Sequence, residues 1–124
     1  SIKQPKQKCS SYYCNLRKKY GSTENIIIQK DLLSIIINLL VFSIEKDNFE
    51  DVEFYFSYVN SISTTPDIYF YKSVVKFLKL LIKYKQSGKK SLLETCDVII
   101  ENLSISGMEN YSLELSKFKN KYQD

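Results

Sequence analysis

Residues 24–46 read ENIIIQKDLLSIIINLLVFSIEK. Wound at about 100° per residue, Ile26 to Ile28, Leu32, Leu33, Ile35 to Ile37, Leu39 to Phe42 and Ile44 cover most of the circumference of one helix. A helix that is apolar nearly all round must be covered on several sides, a demand that a central helix in a stacked helical array meets. Its greasiest part, Leu32 to Ile44, is 13 residues long and is interrupted by Ser34, Asn38 and Ser43. A membrane span needs roughly 20 apolar residues. The stretch therefore reads as a buried helix of a soluble protein, with no membrane partner.

Working outward from this helix, four of the five glycines and prolines stand where the apolar period breaks. Upstream, residues 1–22 form a polar lead with short-helix character over Tyr12–Tyr20, closed by Gly21. Downstream, Asp47 and Glu50 have the spacing of a capping box, which starts a second helix over about 48–62. Thr65-Pro66-Asp67 opens a third: Thr65 as N-cap, Pro66 where its missing N–H costs nothing, Asp67 complementing the dipole. Ser87-Gly88 ends it, a fourth helix covers about 89–104, and Ser106 with Glu109 offers another capping-box spacing before a fifth over about 107–122.

The punctuation recurs. Asp47-Asn48 and Ser87-Gly88 lie 40 residues apart, as do Pro66 and Ser106. Two helices per 40 or so residues point to an α-solenoid, with an up-down bundle as the competing arrangement. The expected fold is all-α: about five helices as hairpins over about 24–62 and 66–104 plus the closing helix, forming a repeat domain over 23–124.

Composition narrows the chemistry. The 124 residues contain no histidine, which rules out Ser-His-Asp and Cys-His catalysis within the chain. There is no GxGxxG and no P-loop. Cys9, Cys14 and Cys96 cannot close a four-ligand Cys/His zinc site. Their odd number fits free thiols in a reducing compartment, hence a cytoplasmic protein. The carboxylates at 47–53 read as capping residues, and Glu94, Asp97 and Glu101 as a solvated face. No enzyme, cofactor or metal is expected. The net charge of +4 is too mild for direct binding of nucleic acid to lead the reading.

Two polar stripes remain as candidate sites. Lys72, Lys76, Lys79 and Lys83 on the third helix fall within an arc of about 60°. They form either a solvated face or a basic groove for an acidic or carboxylate-bearing ligand, with Tyr69 joining as a further contact. On the first helix Asp31, Ser34, Asn38 and Glu45 run through otherwise apolar surroundings. A core amide costs free energy unless paired, so Asn38 is either satisfied by neighbouring helices or aimed into a groove where a ligand backbone can meet it. Ser34, Asn38 and Glu45 superpose on Lys72, Lys76 and Lys83 at an offset of 38, two residues from the period of the loops. On that match both stripes line one inner wall.

The order and spacing of four segments, RKKY at 17–20, IINLLVFSIEKDNFEDVEFYF at 36–56, TTPDIYFYKSVVKFLKLLIKYKQSGK at 64–89 and GMENYSLELSKFKNKY at 107–122, resemble the C-terminal region of the Rgg/GadR/MutR family of Gram-positive transcriptional regulators. The turns at 44–55 and 84–89 look like tetratricopeptide-type turns. The resemblance implies a tetratricopeptide-like repeat domain that forms a homodimer and binds a short imported signalling peptide. DNA is then contacted only through a helix-turn-helix domain, which this chain, beginning at Ser1, lacks. The peptide-binding candidates are Asp31, Ser34, Asn38, Tyr69, Lys72, Lys76 and Lys83, with Asn38 placed to pair with the peptide backbone. The competing function is a helical-repeat scaffold for protein–protein interaction, with no signalling ligand.

Overall fold

The computed structural model describes Cys14, Asn15 and residues 25–124. Within them the chain is all-helical, without a strand: α1 is Ile26–Lys46, α2 Val52–Ser61, α3 Pro66–Ser87, α4 Ser91–Ile105 and α5 Glu109–Tyr122. Cys14 and Asn15 are helical too, while the rest of the expected polar lead lies outside the described residues. Cys14 stands in a disulfide. This corrects the expectation of free thiols throughout, and with it the argument from cysteine usage to a reducing compartment. Cys96 is free and buried.

Two compact units divide the chain, Ser1–Val75 and Lys76–Asp124, with α3 running through the boundary. In the first unit α1 packs against α2. Its core is built from Leu33, Ile36 and Leu40 of α1, Val52, Tyr55 and Phe56 of α2, and Ile68 and Val75 of α3. Removing each such side chain from water contributes about 1.5–3 kcal/mol. Lys30 on α1 reaches Asp67 on α3 at 4.0 Å. In the second unit α4 and α5 pack side by side, and Lys119 of α5 pairs with Asp97 of α4 at 3.1 Å. Phe77, Leu81 and Ile82 of α3, with Cys96 and Leu103 of α4, form its core.

The helix ends differ instructively from the sequence reading. Asn25 caps α1, its side-chain oxygen accepting the Ile27 and Ile28 N–H groups at 2.9 and 3.2 Å. At the other end Asp47 adopts a left-handed conformation, φ 54°. The Asn48 N–H donates to the Ser43 carbonyl at 2.9 Å and the Asp47 N–H to Ile44 at 3.2 Å, a Schellman termination. So Asp47 ends α1 instead of opening α2, which begins later, at Val52, without a side-chain cap from Asp51. Asn48 accepts from the Glu50 N–H at 3.1 Å and no capping box forms. The same happens at Ser106–Glu109. Gly107, φ 87°, lets the Met108 N–H reach the Leu103 carbonyl at 2.8 Å, so the motif stops α4, and α5 starts without a side-chain cap. Both boxes lose because the preceding helix has unpaired carbonyls that the turn satisfies first. Thr65 does begin α3, but through its carbonyl, which accepts from Ile68 and Tyr69; its buried hydroxyl has no hydrogen-bond partner among the described residues.

By length and composition α1 is apolar enough to cross a membrane, so the 13-residue argument does not exclude it; 28% of its most apolar window is buried.

The left-handed Asp47 identifies a strained position with no side-chain obligation to keep it. Asp47→Gly should raise the unfolding free energy by about 1 kcal/mol, because glycine carries no Cβ penalty there. Urea denaturation followed by circular dichroism measures this, and an unchanged or lower midpoint would contradict it.

Candidate functional site

The buried stripe of α1 is Leu32, Leu33, Ile36, Leu40, Ser43 and Ile44. Ser43 is accommodated by donating its hydroxyl to the Leu39 carbonyl at 3.0 Å. Diametrically opposite, Ile27, Asp31, Ser34, Asn38, Phe42 and Glu45 fall within an arc of about 80°, and every one of them is exposed. The structure thus brings three of the candidates, Asp31, Ser34 and Asn38, onto one outward stripe. Asn38 is exposed, so its amide is not enclosed among neighbouring helices. Sequence reasoning missed Ile27 and Phe42, which are 70% and 55% exposed in the same stripe. Half-exposed Ile28, Ile35 and Leu39 flank it on one side and Ile37 and Val41 on the other. The available signal was the excess of apolar residues over what one buried face can use. The Lys46 ammonium lies 5.6 Å from the centre of the Phe42 ring, a cation–π distance.

On α3, Tyr69, Lys72, Lys76, Lys79 and Lys83 follow one ridge by helical periodicity. Tyr69 and Lys76 are exposed, whereas Lys72, Lys79 and Lys83 are half-buried. Tyr69 and Lys72 belong to the first unit, Lys76 and Lys83 to the second. Lys72 already has an internal role. Its ammonium donates to the carbonyl of Ile62, the residue that caps the C-terminus of α2, and burial lowers its pKa. A cation at the negative end of a helix dipole is a structural contact first. Lys85 repeats the device in the second unit, donating to the Tyr122 carbonyl at the end of α5 at 3.1 Å.

The acidic residues divide likewise. One carboxylate oxygen of Asp51 is buried without a hydrogen-bond partner among the described residues, and burial, with Glu50 beside it, raises its pKa. Asp97 is held by Lys119. No group of three or more His, Cys, Asp or Glu that could hold a metal occurs among the described residues. The Cys96 thiol donates to the Phe77 carbonyl at 3.7 Å, and burial pushes its pKa up to about 11.

Two measurements follow from these assignments. Replacing Lys72 by Met keeps the aliphatic stem but removes the donor to Ile62, and should cost about 1 kcal/mol of stability, discounted for partial exposure. A urea midpoint equal to that of the parent would show the contact to be idle. For Cys96, the folded state keeps its proton up to about pH 11 while the unfolded thiol releases it near 9. Its contribution is therefore present below pH 9 and is lost as pH rises from 9 to 11. Thiol labelling at pH 8 should leave Cys96 unmodified until denaturant is added.

A family model described as the C-terminal domain of the HTH-type transcriptional regulator Rgg matches residues 6–117. No curated protein and no solved structure matches the chain. The family match takes in all of α1 to α4 and the first part of α5, including every candidate residue described above. The chain belongs to the Rgg family, as the C-terminal domain of a helix-turn-helix-type transcriptional regulator.

Proposed function

We propose that this domain is the peptide-sensing and dimerising part of its regulator, with the DNA-binding helix-turn-helix outside this chain. The helices stack as tetratricopeptide-like hairpins, and the protein works in the cytoplasm, without enzymatic activity, cofactor or metal. The observation that carries the reading is the outward stripe of α1, where Ile27 and Phe42 stand exposed together with Asp31, Ser34, Asn38 and Glu45. Exposed apolar side chains such as Ile27 and Phe42 gain from being covered, which favours a partner on this stripe. Hydroxyl and amide groups on the midline offer a peptide backbone both a donor and an acceptor. The exposed Tyr69 of α3, in the same unit, adds an aromatic ring.

Short hydrophobic peptides titrated calorimetrically into the domain should bind. Asn38→Ala should weaken them about three- to tenfold, the worth of one hydrogen bond. Light scattering after size exclusion should give twice the 14.5 kDa chain mass. A monomer that binds no peptide contradicts the reading. A monomer that captures a partner helix but no peptide selects the scaffold function instead.

A further inference from the structure

We infer that the second unit carries, at one end, a sequence-independent contact for the phosphate backbone of DNA, in addition to the regulator's helix-turn-helix. The inference stands apart from the peptide-sensing reading.

Charge is divided unevenly along the chain. Residues 25–75 hold three lysines and seven carboxylates, a net −4, whereas residues 76–124 hold nine lysines and six carboxylates, a net +3. The mild total of +4 therefore hides a basic unit. Within that unit lysines gather where α3 and α5 end. Lys85, in the last turn of α3, donates to the carbonyl of Tyr122, the last residue of α5, at 3.1 Å. The short turn 88–90 leads from the same end of α3 into α4. Lys119, also in the last turn of α5, reaches Asp97 of α4 at 3.1 Å. One pole thus collects the end of α3, the start of α4 and the end of α5. Lys89 and Lys90 stand there on the turn and Lys117 and Lys121 on α5, all four exposed. None of the four is held in an ion pair among the described residues. Against them stand the carboxylates of Glu94 and Asp124, both exposed, and of Asp97, which Lys119 neutralises.

Helix dipoles account for part of this pattern. Lys117 and Lys121 complement the negative end of α5, as Lys85 does from α3. Lys90 does not fit that account. It is the residue before α4, at that helix's positive end, where a cation is disfavoured.

The make-up of the pole selects the partner. Protein interfaces rest on buried aromatic and aliphatic anchors, and lysine is depleted from them. The exposed large apolar residues of this unit are Val98, Ile105, Tyr111 and Leu113, and none lies in the 88–90 turn or in the last turns of α3 and α5. Exposed Gln86, Ser87 and Asn120 surround the lysines instead. Phosphate needs only such point charges and polar groups. Packed helices stand about 8–10 Å apart, a length over which duplex DNA carries about five or six phosphate charges. As part of a DNA-binding regulator the unit is tethered near DNA, which raises the effective concentration for a weak contact.

The probe is a fluorescein-labelled duplex of about 20 base pairs, titrated with the full chain and followed by anisotropy between about 50 and 200 mM salt. Dissociation constants of about 10⁻⁶ to 10⁻⁴ M are expected, equal for two unrelated sequences. Lys89→Gln, Lys90→Gln, Lys117→Gln and Lys121→Gln in one variant should weaken binding at least about tenfold at low salt. The same variant should lower the slope of log affinity against log salt by about three. Circular dichroism should show unchanged helicity, because the four side chains are exposed. Lys46→Gln, in the first unit, should change neither affinity nor slope. Residues 1–24 carry six further cations. Affinity that survives the fourfold variant overturns the inference, and its loss in Arg17→Gln with Lys18→Gln and Lys19→Gln moves the contact to that lead. Polyglutamate bound more tightly than the duplex, and released in the fourfold variant, assigns the pole to an acidic protein and overturns the inference as well. So does the absence of any binding at the lowest salt.

Discussion

Burial around α3 is the constraint on which the rest of the structure depends. In the first unit Ile68, Val74 and Val75 are inside, and in the second Phe77, Leu78, Leu80, Leu81 and Ile82. Lys72, Lys76, Lys79 and Lys83 share the side that this burial leaves, whereas Lys85 projects about 140° away from Lys72. Two of the lysines meet carbonyls. Lys72 closes the end of α2 and Lys85 the end of α5. Each aligns an ammonium with the negative end of a helix and satisfies a carbonyl that helical geometry leaves open. The lysine pattern that suggests a ligand groove is thus in part the fold's own terminal chemistry.

The first helix obeys a different rule. Its buried stripe, from Leu32 to Ile44, packs to zero exposure at Leu33, Ile36 and Leu40, while the opposite side stays open. This asymmetry separates the two serines: Ser43 is turned back on the Leu39 carbonyl inside, and Ser34 looks outward. It also gives the peptide-sensing reading its physical basis, because an apolar helix covered on one side keeps affinity for something on the other.

Much of the fold was legible without coordinates. Among the described residues the number of helices and the start at Pro66 follow from apolar period and punctuation. So does the stop after Ser87, where Gly88 takes φ 72°. The errors sit at the capping boxes. Asp47–Glu50 and Ser106–Glu109 match the start pattern, yet both are used to finish the helix before them. Sequence spacing reports which partners are reachable; it does not report which of two adjacent helix ends takes them. The true cap of α1, Asn25, went unmarked because an asparagine beside an isoleucine run carries no spacing signal of its own.

For the candidate site the division is similar. The sequence by itself determined that Asp31, Ser34 and Asn38 share a helix face, and that Tyr69, Lys72, Lys76 and Lys83 share another, because helical periodicity alone places them. It also determined the absence of histidine chemistry. Only the tertiary structure decided which of these faces looks outward and which side chains are already engaged. An apolar helix offers several nearly equivalent faces for burial, and the choice depends on the shape of its neighbours. A lysine on an open ridge and a lysine bound to a carbonyl ten residues away, as Lys72 is to Ile62, are identical in sequence. They differ only in where packing carries the end of α2.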